Sequence, residues 1–146
     1  MKGKVLAVNI SKKKGVVKTP IEEGVFQEGH GLVGDAHAGK WHRQVSLLGV
    51  ESVEKMKQAG VKGLCNGKFA ENLTTEGIVL HKLPIGTKLK IGETIQEVSQ
   101  IGKECHDGCI IKKQVGKCIM PNEGIFTRVL KGGKIRAGDL IEVIES

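Results

Sequence analysis

Glycine interrupts this chain so often that few long elements fit between its occurrences. Of 146 residues, 21 are glycine, and glycine inside a helix or strand weakens it through backbone entropy. Between the glycines stand short runs that alternate apolar and polar residues or are rich in β-branched side chains. Residues 4–10, 87–91, 94–101 and 139–144 have this character and are predicted as strands. Gly92-Glu93 and Gly132-Gly133 mark turns between such runs. Short strands joined by glycine turns predict a β-barrel or sandwich.

One helix is predicted, with Ser46 as its cap, Val50, Val53 and Met56 at helical spacing and Gly60 ending it. A further helical turn is predicted over residues 123–130, stopped by Gly132-Gly133. Lys12-Lys13-Lys14 reads as a solvated turn after the first strand. No repeat, low-complexity stretch or linker divides the chain, so a single domain over residues 1–146 is expected, large enough for a core without disulfide staples. The apolar run Val5-Leu6-Ala7-Val8 is too short for a secretory leader, and no stretch approaches the roughly 20 apolar residues of a membrane span. A cytoplasmic setting is therefore expected, where cysteines serve catalysis or metal binding in preference to disulfides.

Three of the four cysteines fall in one segment, Cys105, Cys109 and Cys118, with His106 beside the first and Lys103, Lys112, Lys113 and Lys117 interspersed. Neighbouring cations lower a thiol's pKa, and the thiolate is the form that attacks electrophiles and binds soft metals, which marks Cys105 as the candidate reactive sulfur. Cys65, alone between Leu64 and Asn66, reads as a buried core thiol. Cys105, His106, Cys109 and Cys118 have the atom types of a Cys₃His zinc site, but the single Cys118 and the placement of His106 depart from zinc-hairpin spacing. A dithiol–disulfide switch between Cys105 and Cys109 is another use of the same residues.

The formal net charge is +7, which favours an anionic partner: nucleic acid, a phosphorylated cofactor or an acidic protein. Readers of single-stranded nucleic acid add aromatic platforms. With three phenylalanines, one tryptophan and no tyrosine the chain supplies few, so RNA binding by a zinc-stapled basic barrel is the rival class, not the first. Gly29-His-Gly31-Leu-Val-Gly34 matches the dinucleotide-binding pattern in letters, yet no good helix former follows it, and that motif needs a helix N-terminus. Gly63-Leu-Cys-Asn-Gly67-Lys68 lacks one residue and the hydroxyl of a phosphate loop. The loop from Gly34 to Ser46 is different, because it gathers Asp35, His37, His42, Arg43 and Ser46 with few apolar residues and so suggests a binding surface. Asp35 and His37 are possible metal ligands, although His30, His37 and His42 lack ligand spacing, and the fork of Arg43 suits phosphate.

Three ordered segments resemble the MOSC family, the domain found at the C-terminus of molybdenum cofactor sulfurases: residues 28–39, containing Asp35 and His37; residues 43–48, with Arg43 and Ser46; and residues 69–78, with Glu71 and Asn72. Gly86 to Gly92, a strand running toward Cys105, and Gly132 to Asp139 follow in the family's order, so the likeness spans nearly the whole chain and is to a small, stand-alone, bacterial-type member. The resemblance implies a mainly β fold, a distorted, mostly antiparallel β-barrel with a few short helices, akin to the pyruvate kinase β-barrel. It implies binding of molybdenum cofactor (molybdopterin), with Cys105 carrying sulfur as a persulfide or ligating molybdenum. Asp35, His37, Arg43, Ser46, Glu71, Asn72 and Lys103 would line or support the site, and Asn72 would donate to a pterin carbonyl or cap a turn. His106, Cys109 and Cys118 would assist, the latter two as resolving thiols, since this chain has Lys103-Glu104 and extra cysteines where the family shows one cysteine preceded by arginine. The family is linked to pyridoxal phosphate through desulfurases, but no such portion is present at this length, so a cysteine desulfurase or other sulfur donor is the expected partner. Molybdenum cofactor or a molybdoenzyme is the expected acceptor. Sulfur transfer, or molybdenum-dependent reduction of N-hydroxylated compounds, are the activities the likeness allows.

Overall fold

A computed structural model describes residues 2–13, 17–58, 71–102 and 123–145. In chain order the strands are β1 (Lys2–Ile10), β2 (Thr19–Ile21), β3 (Glu23–Gln27), β4 (Gly31–Leu32), β5 (Val45–Gly49), β6 (Leu73–Glu76), β7 (Lys88–Ile91), β8 (Thr94–Ile101), β9 (Ile125–Lys131), β10 (Gly133–Arg136) and β11 (Leu140–Glu145). Helix α1 (Val50–Gln58) follows β5, and a 3-10 turn, Leu80–Lys82, follows β6. The strands predicted over 4–10, 87–91, 94–101 and 139–144 are β1, β7, β8 and β11.

The larger sheet closes on itself in the order β1, β11, β7, β8, β9, β5, β6 and back to β1, which makes the mostly antiparallel barrel expected. Closure leaves the ring without open edges. β1 is long enough to meet three neighbours: β6 along one edge, and on the other β11 through Lys2 to Lys4 and β2 through Val8 to Ile10. A register shift between Val5 and Ala7 inserts one extra residue, so Val5 and Val8, three apart, both reach the core. β5 and β6 pair in parallel, which requires a crossover, and α1 lies in that connection. Val45 and Leu47, then Leu89 and Ile91, are fully buried at the period of two that a strand imposes. The smaller sheet, β10–β3–β4, adds Phe26, Leu32 and Ile135 to the same core.

Two local expectations fail. Ser46 caps no helix: it sits inside β5 opposite Phe126, and α1 begins at Val50. Of the helical turn expected over residues 123–130, residues 125–130 belong to strand β9 (Ile125–Lys131). Ile125, Phe126 and Thr127 are all buried, because both faces of β9 are covered, and apolar residues on two faces imitate helical spacing. The proposed helix end at Gly60 and the core thiol Cys65 lie outside the described residues.

The glycines of the dinucleotide-like run serve a hairpin instead. Gly29, Gly31 and Gly34 have φ of 67°, 115° and 89°, the left-handed side that other residues avoid, and the run joins β3 to β4 with no helix after it. A Cβ on Gly31 would stand 2.6 Å from the Gln44 backbone oxygen, whereas one on Gly29 would meet nothing within 4 Å. Gly31→Ala is therefore expected to cost more than the ~1–2 kcal/mol of a left-handed alanine, and Gly29→Ala about that alone. Chemical denaturation of the two variants checks the order.

Candidate functional site

Among the described residues an apolar cluster packs inside the barrel. One row crosses β1, the residue ahead of β6, β5, β9 and β8: the Asn9 N–H donates to Asn72 O, the Asn72 N–H to Ser46 O, and Ser46 pairs with Phe126, which pairs with Gln100. Each of Asn9, Ser46, Asn72 and Phe126 is next in sequence to a core residue, Val8, Leu47, Leu73 or Ile125, so its side chain points the other way. The row places these groups together on the outer face, and all four are buried.

Polar side chains knit this face. Asn72 Oδ1 accepts from the Ser46 N–H at 3.0 Å and the Ser46 hydroxyl at 3.2 Å, while Asn72 Nδ2 donates to Asn9 O at 3.3 Å. Neither a turn cap nor a free amide, Asn72 cross-links β1 to β5. Glu71 is fully buried, with Oε2 accepting from Thr74 Oγ1 at 2.7 Å.

The loop after β4 is fastened over the face by a buried ion pair that the sequence did not announce. Lys18 Nζ donates to Asp35 Oδ1 at 2.8 Å, and both side chains are wholly buried. Asp35 Oδ1 also accepts from the Ser11 N–H at 3.1 Å, and Oδ2 from the His37 N–H at 3.1 Å. Burial pushes the Asp35 carboxyl up, but the Lys18 hydrogen bond, the Ser11 N–H, the Lys18 charge and the Asn72 amide outweigh it and hold the group below its ordinary value. Both Asp35 oxygens are thus engaged inside the protein. His37, partly exposed, meets Lys18 Nζ through Nδ1 at 3.1 Å.

Arg43 has another environment. Its Nε donates to Gln100 Oε1 at 3.0 Å, and its guanidinium carbon lies 5.3 Å from the Phe126 ring centre and 6.0 Å from that of Trp41. Gln100 Oε1 is shared with His42 Nε2 at 2.8 Å, and Gln100 Nε2 donates to Gly102 O at 2.7 Å. Among the described residues no carboxylate pairs with Arg43. The cation is thus oriented by an amide and two aromatic rings.

Of the residues predicted from sequence, the structure brings Asp35, His37, Ser46 and Asn72 into one connected network, with Glu71 bonded to its margin through Asn9 and Thr74; Arg43 stands over Phe126, the row partner of Ser46. Cys105, His106, Cys109, Cys118 and Lys103 lie outside the described residues. Lys18, Ser11, Asn9, Gln100 and Phe126 were missed. Lys18 is one of 23 lysines and arginines, and nothing in its local sequence separates it from the solvated ones. Among the described residues no three His, Cys, Asp or Glu side chains gather as a metal site. Two open clefts, of about 310 Å³ beside Lys90, Lys134 and Arg136 and about 320 Å³ between α1 and the 3-10 turn, include none of the predicted site residues.

Because the folded-state pKa of Asp35 lies below its ordinary 3.8, its stabilising contribution is present above that pH and is lost as pH falls through the folded value. Asp35→Asn leaves the Lys18 ammonium buried without a counter-charge and is expected to cost about 3–5 kcal/mol at neutral pH, with part recovered by adding Lys18→Met. Urea unfolding across the acid range checks both, and the acid-dependent loss should shrink in the variant.

The MOSC domain family model matches residues 34–142. Among solved structures, the YuaD protein from Bacillus subtilis superposes with a TM-score of 0.80 at 19% identity, covering 97% of this chain and 94% of that one. YiiM from Geobacillus stearothermophilus gives 0.74 at 20% identity over 98% and 75% of the two chains, and YiiM from Escherichia coli 0.68 at 21% over 100% and 71%. At these identities the likenesses establish the fold. No curated protein matches the chain closely enough to count as a relative. The link to pyridoxal phosphate expected from the family gains no support from any of these likenesses. Among the described residues no helix is long and apolar enough to cross a membrane. A match that begins at the loop carrying Asp35, His37 and Arg43 and runs through the barrel to β11 places the chain in the MOSC domain family.

Proposed function

We propose that the protein works on molybdenum cofactor or its sulfur at the outer face of β1, β6, β5, β9 and β8. In this reading Arg43 anchors the anionic part of the ligand, and Cys105 is the thiolate that carries sulfur or ligates molybdenum. The observation that carries the reading is the state of Arg43. Of five guanidinium N–H donors only that on Nε has a protein partner among the described residues, and the planar group is held by Gln100, Trp41 and Phe126. A fixed fork with open donors fits a phosphate, and the net charge of +7 draws an anion toward it. Membership of a family tied to molybdenum cofactor supports the identity of that anion.

When bound, the cofactor supplies a soft metal centre suited to thiolate sulfur. The chain's own part begins with Gln100, which joins the Arg43 anchor to Gly102, three residues ahead of Cys105 in sequence. For sulfur carriage, the Cys105 thiolate attacks the outer sulfur of a donor cysteine persulfide. A new S–S bond forms as the donor's breaks, the donor cysteine leaves as thiolate, and no net oxidation occurs. Cys109 or Cys118 then attacks the Cys105 sulfur, forming a disulfide and releasing hydrosulfide to the acceptor. Lys103 and His106 favour the thiolate by their charge. The donor is a cysteine desulfurase or similar protein in a reducing compartment.

Arg43→Gln removes a charge-assisted fork worth about 1.5–3 kcal/mol, so binding of isolated molybdenum cofactor is expected to weaken at least about tenfold. Unaltered affinity in a titration overturns the anchor. Incubation with a cysteine desulfurase and cysteine should load cyanide-releasable sulfur on the wild type and not on Cys105→Ser; equal loading removes Cys105 from the assignment.

A further inference from the structure

Lys18 is buried, cationic and absent from the residues that the sequence singled out. Its ammonium has three N–H donors, and among the described residues three atoms stand within hydrogen-bond distance: Asp35 Oδ1 at 2.8 Å, Ser11 Oγ at 3.0 Å and His37 Nδ1 at 3.1 Å. The Ser11 hydroxyl donates its own proton to Lys13 O at 3.1 Å, so a lone pair faces Lys18. The Asp35 carboxylate is an acceptor by nature. For the third contact to be a hydrogen bond, His37 Nδ1 must also accept, because a proton on it would point at the protons of an ammonium. A neutral ring with bare Nδ1 carries its proton on Nε2.

We infer that Lys18 is a positioning residue that holds His37 in its Nε2–H form, making the ring a hydrogen-bond donor to the group that faces its outer nitrogen and unfit to ligate a metal ion. Ligation through Nε2 would need the proton moved to Nδ1, where Lys18 stands. The group that His37 serves must be an acceptor, an anionic oxygen or a thiolate sulfur. Among the described residues, Lys18 and Asp35 are charged groups beside the ring. Asp35 Oδ2, at 4.0 Å from Nδ1, would favour a proton there, but it accepts the His37 backbone N–H, while Oδ1 takes Lys18 and the Ser11 N–H. Trp41 Nε1 donates to His37 O at 2.8 Å and fixes the backbone that carries the ring. The inference deepens the proposed function, since it gives His37 the part of a donor at the anion-binding face.

The test is nuclear magnetic resonance of ¹⁵N-labelled, ligand-free protein at mildly alkaline pH, where an ordinary histidine is neutral. In the wild type, His37 should show an unprotonated Nδ1, a protonated Nε2 and coupling between Nδ1 and the Lys18 ammonium across the hydrogen bond. In Lys18→Met the two nitrogens should shift toward a mixture of both tautomers. Added zinc should leave the wild-type His37 signals in place. A proton on Nδ1, no coupling to Lys18 or a zinc-induced shift at Nε2 overturns the inference, and the wild-type spectrum decides even if Lys18→Met fails to fold. No cofactor is used, so failed cofactor binding with the expected tautomer sinks the proposed function alone, and the reverse pair of results sinks this inference alone.

Discussion

The ion pair between Lys18 and Asp35 is the interaction on which the outer face depends. A barrel wall with an apolar interior offers its other side to solvent, and a glycine-rich loop has little apolar surface with which to cover it. Here the covering is electrostatic. Asp35 reaches down from the loop after β4 to Lys18, ahead of β2, and to the Ser11 N–H at the end of β1, so three separate segments meet at one carboxylate. Two charges taken out of water are costly unless every proton and lone pair is matched, and the partners of Lys18 provide that match. The arrangement ties the loop that carries His37, Trp41 and Arg43 to the strands beneath.

Beneath it, the register row from Asn9 to Gln100 turns ordinary strand alternation into a polar floor. Inward residues close the core, their outward neighbours are Asn9, Ser46, Asn72 and Phe126, and Gln100 pairs with Phe126 at the end of the row. The bonds divide the labour: Ser46, Asn72 and Asp35 are engaged within the protein, whereas of the Arg43 donors only that on Nε has a partner among the described residues. In the proposed function, a polar base already bonded within the protein and an oriented cation would receive an anion with little reorganisation.

Much of the fold was legible because it rests on local periodicity. β1, β7, β8 and β11 show alternation that burial of one face enforces, and glycine marks the turns between them. β9 was misread because both its faces are covered: Phe126 lies under Arg43 on one side while Ile125 enters the core on the other, and the period of two disappears. Ser46 was misread for a related reason, since a small polar residue before a helical run has the look of a cap although its hydroxyl belongs to Asn72 on the neighbouring strand. Among the candidate site residues, Asp35, His37, Arg43, Ser46, Glu71 and Asn72 stood out through their motifs. Lys18 and Gln100 could not, as each acquires its meaning from a partner distant in sequence: Gln100 from Arg43, Lys18 from Asp35 and His37.

By itself the sequence determined the class of fold, the family and the kinds of chemistry at hand: β-strands of period two, turns that only glycine permits, cysteines among cations, and an ordered set of motifs. These are properties of near neighbours along the chain. Only the tertiary structure decided which side of the barrel wall carries the polar groups, that Asp35 answers to a buried lysine, and that Arg43 is oriented with no carboxylate paired to it among the described residues. The reason is physical. Whether a charge is solvated, paired or left open depends on groups brought together by barrel closure across dozens of residues, and no local pattern encodes that proximity.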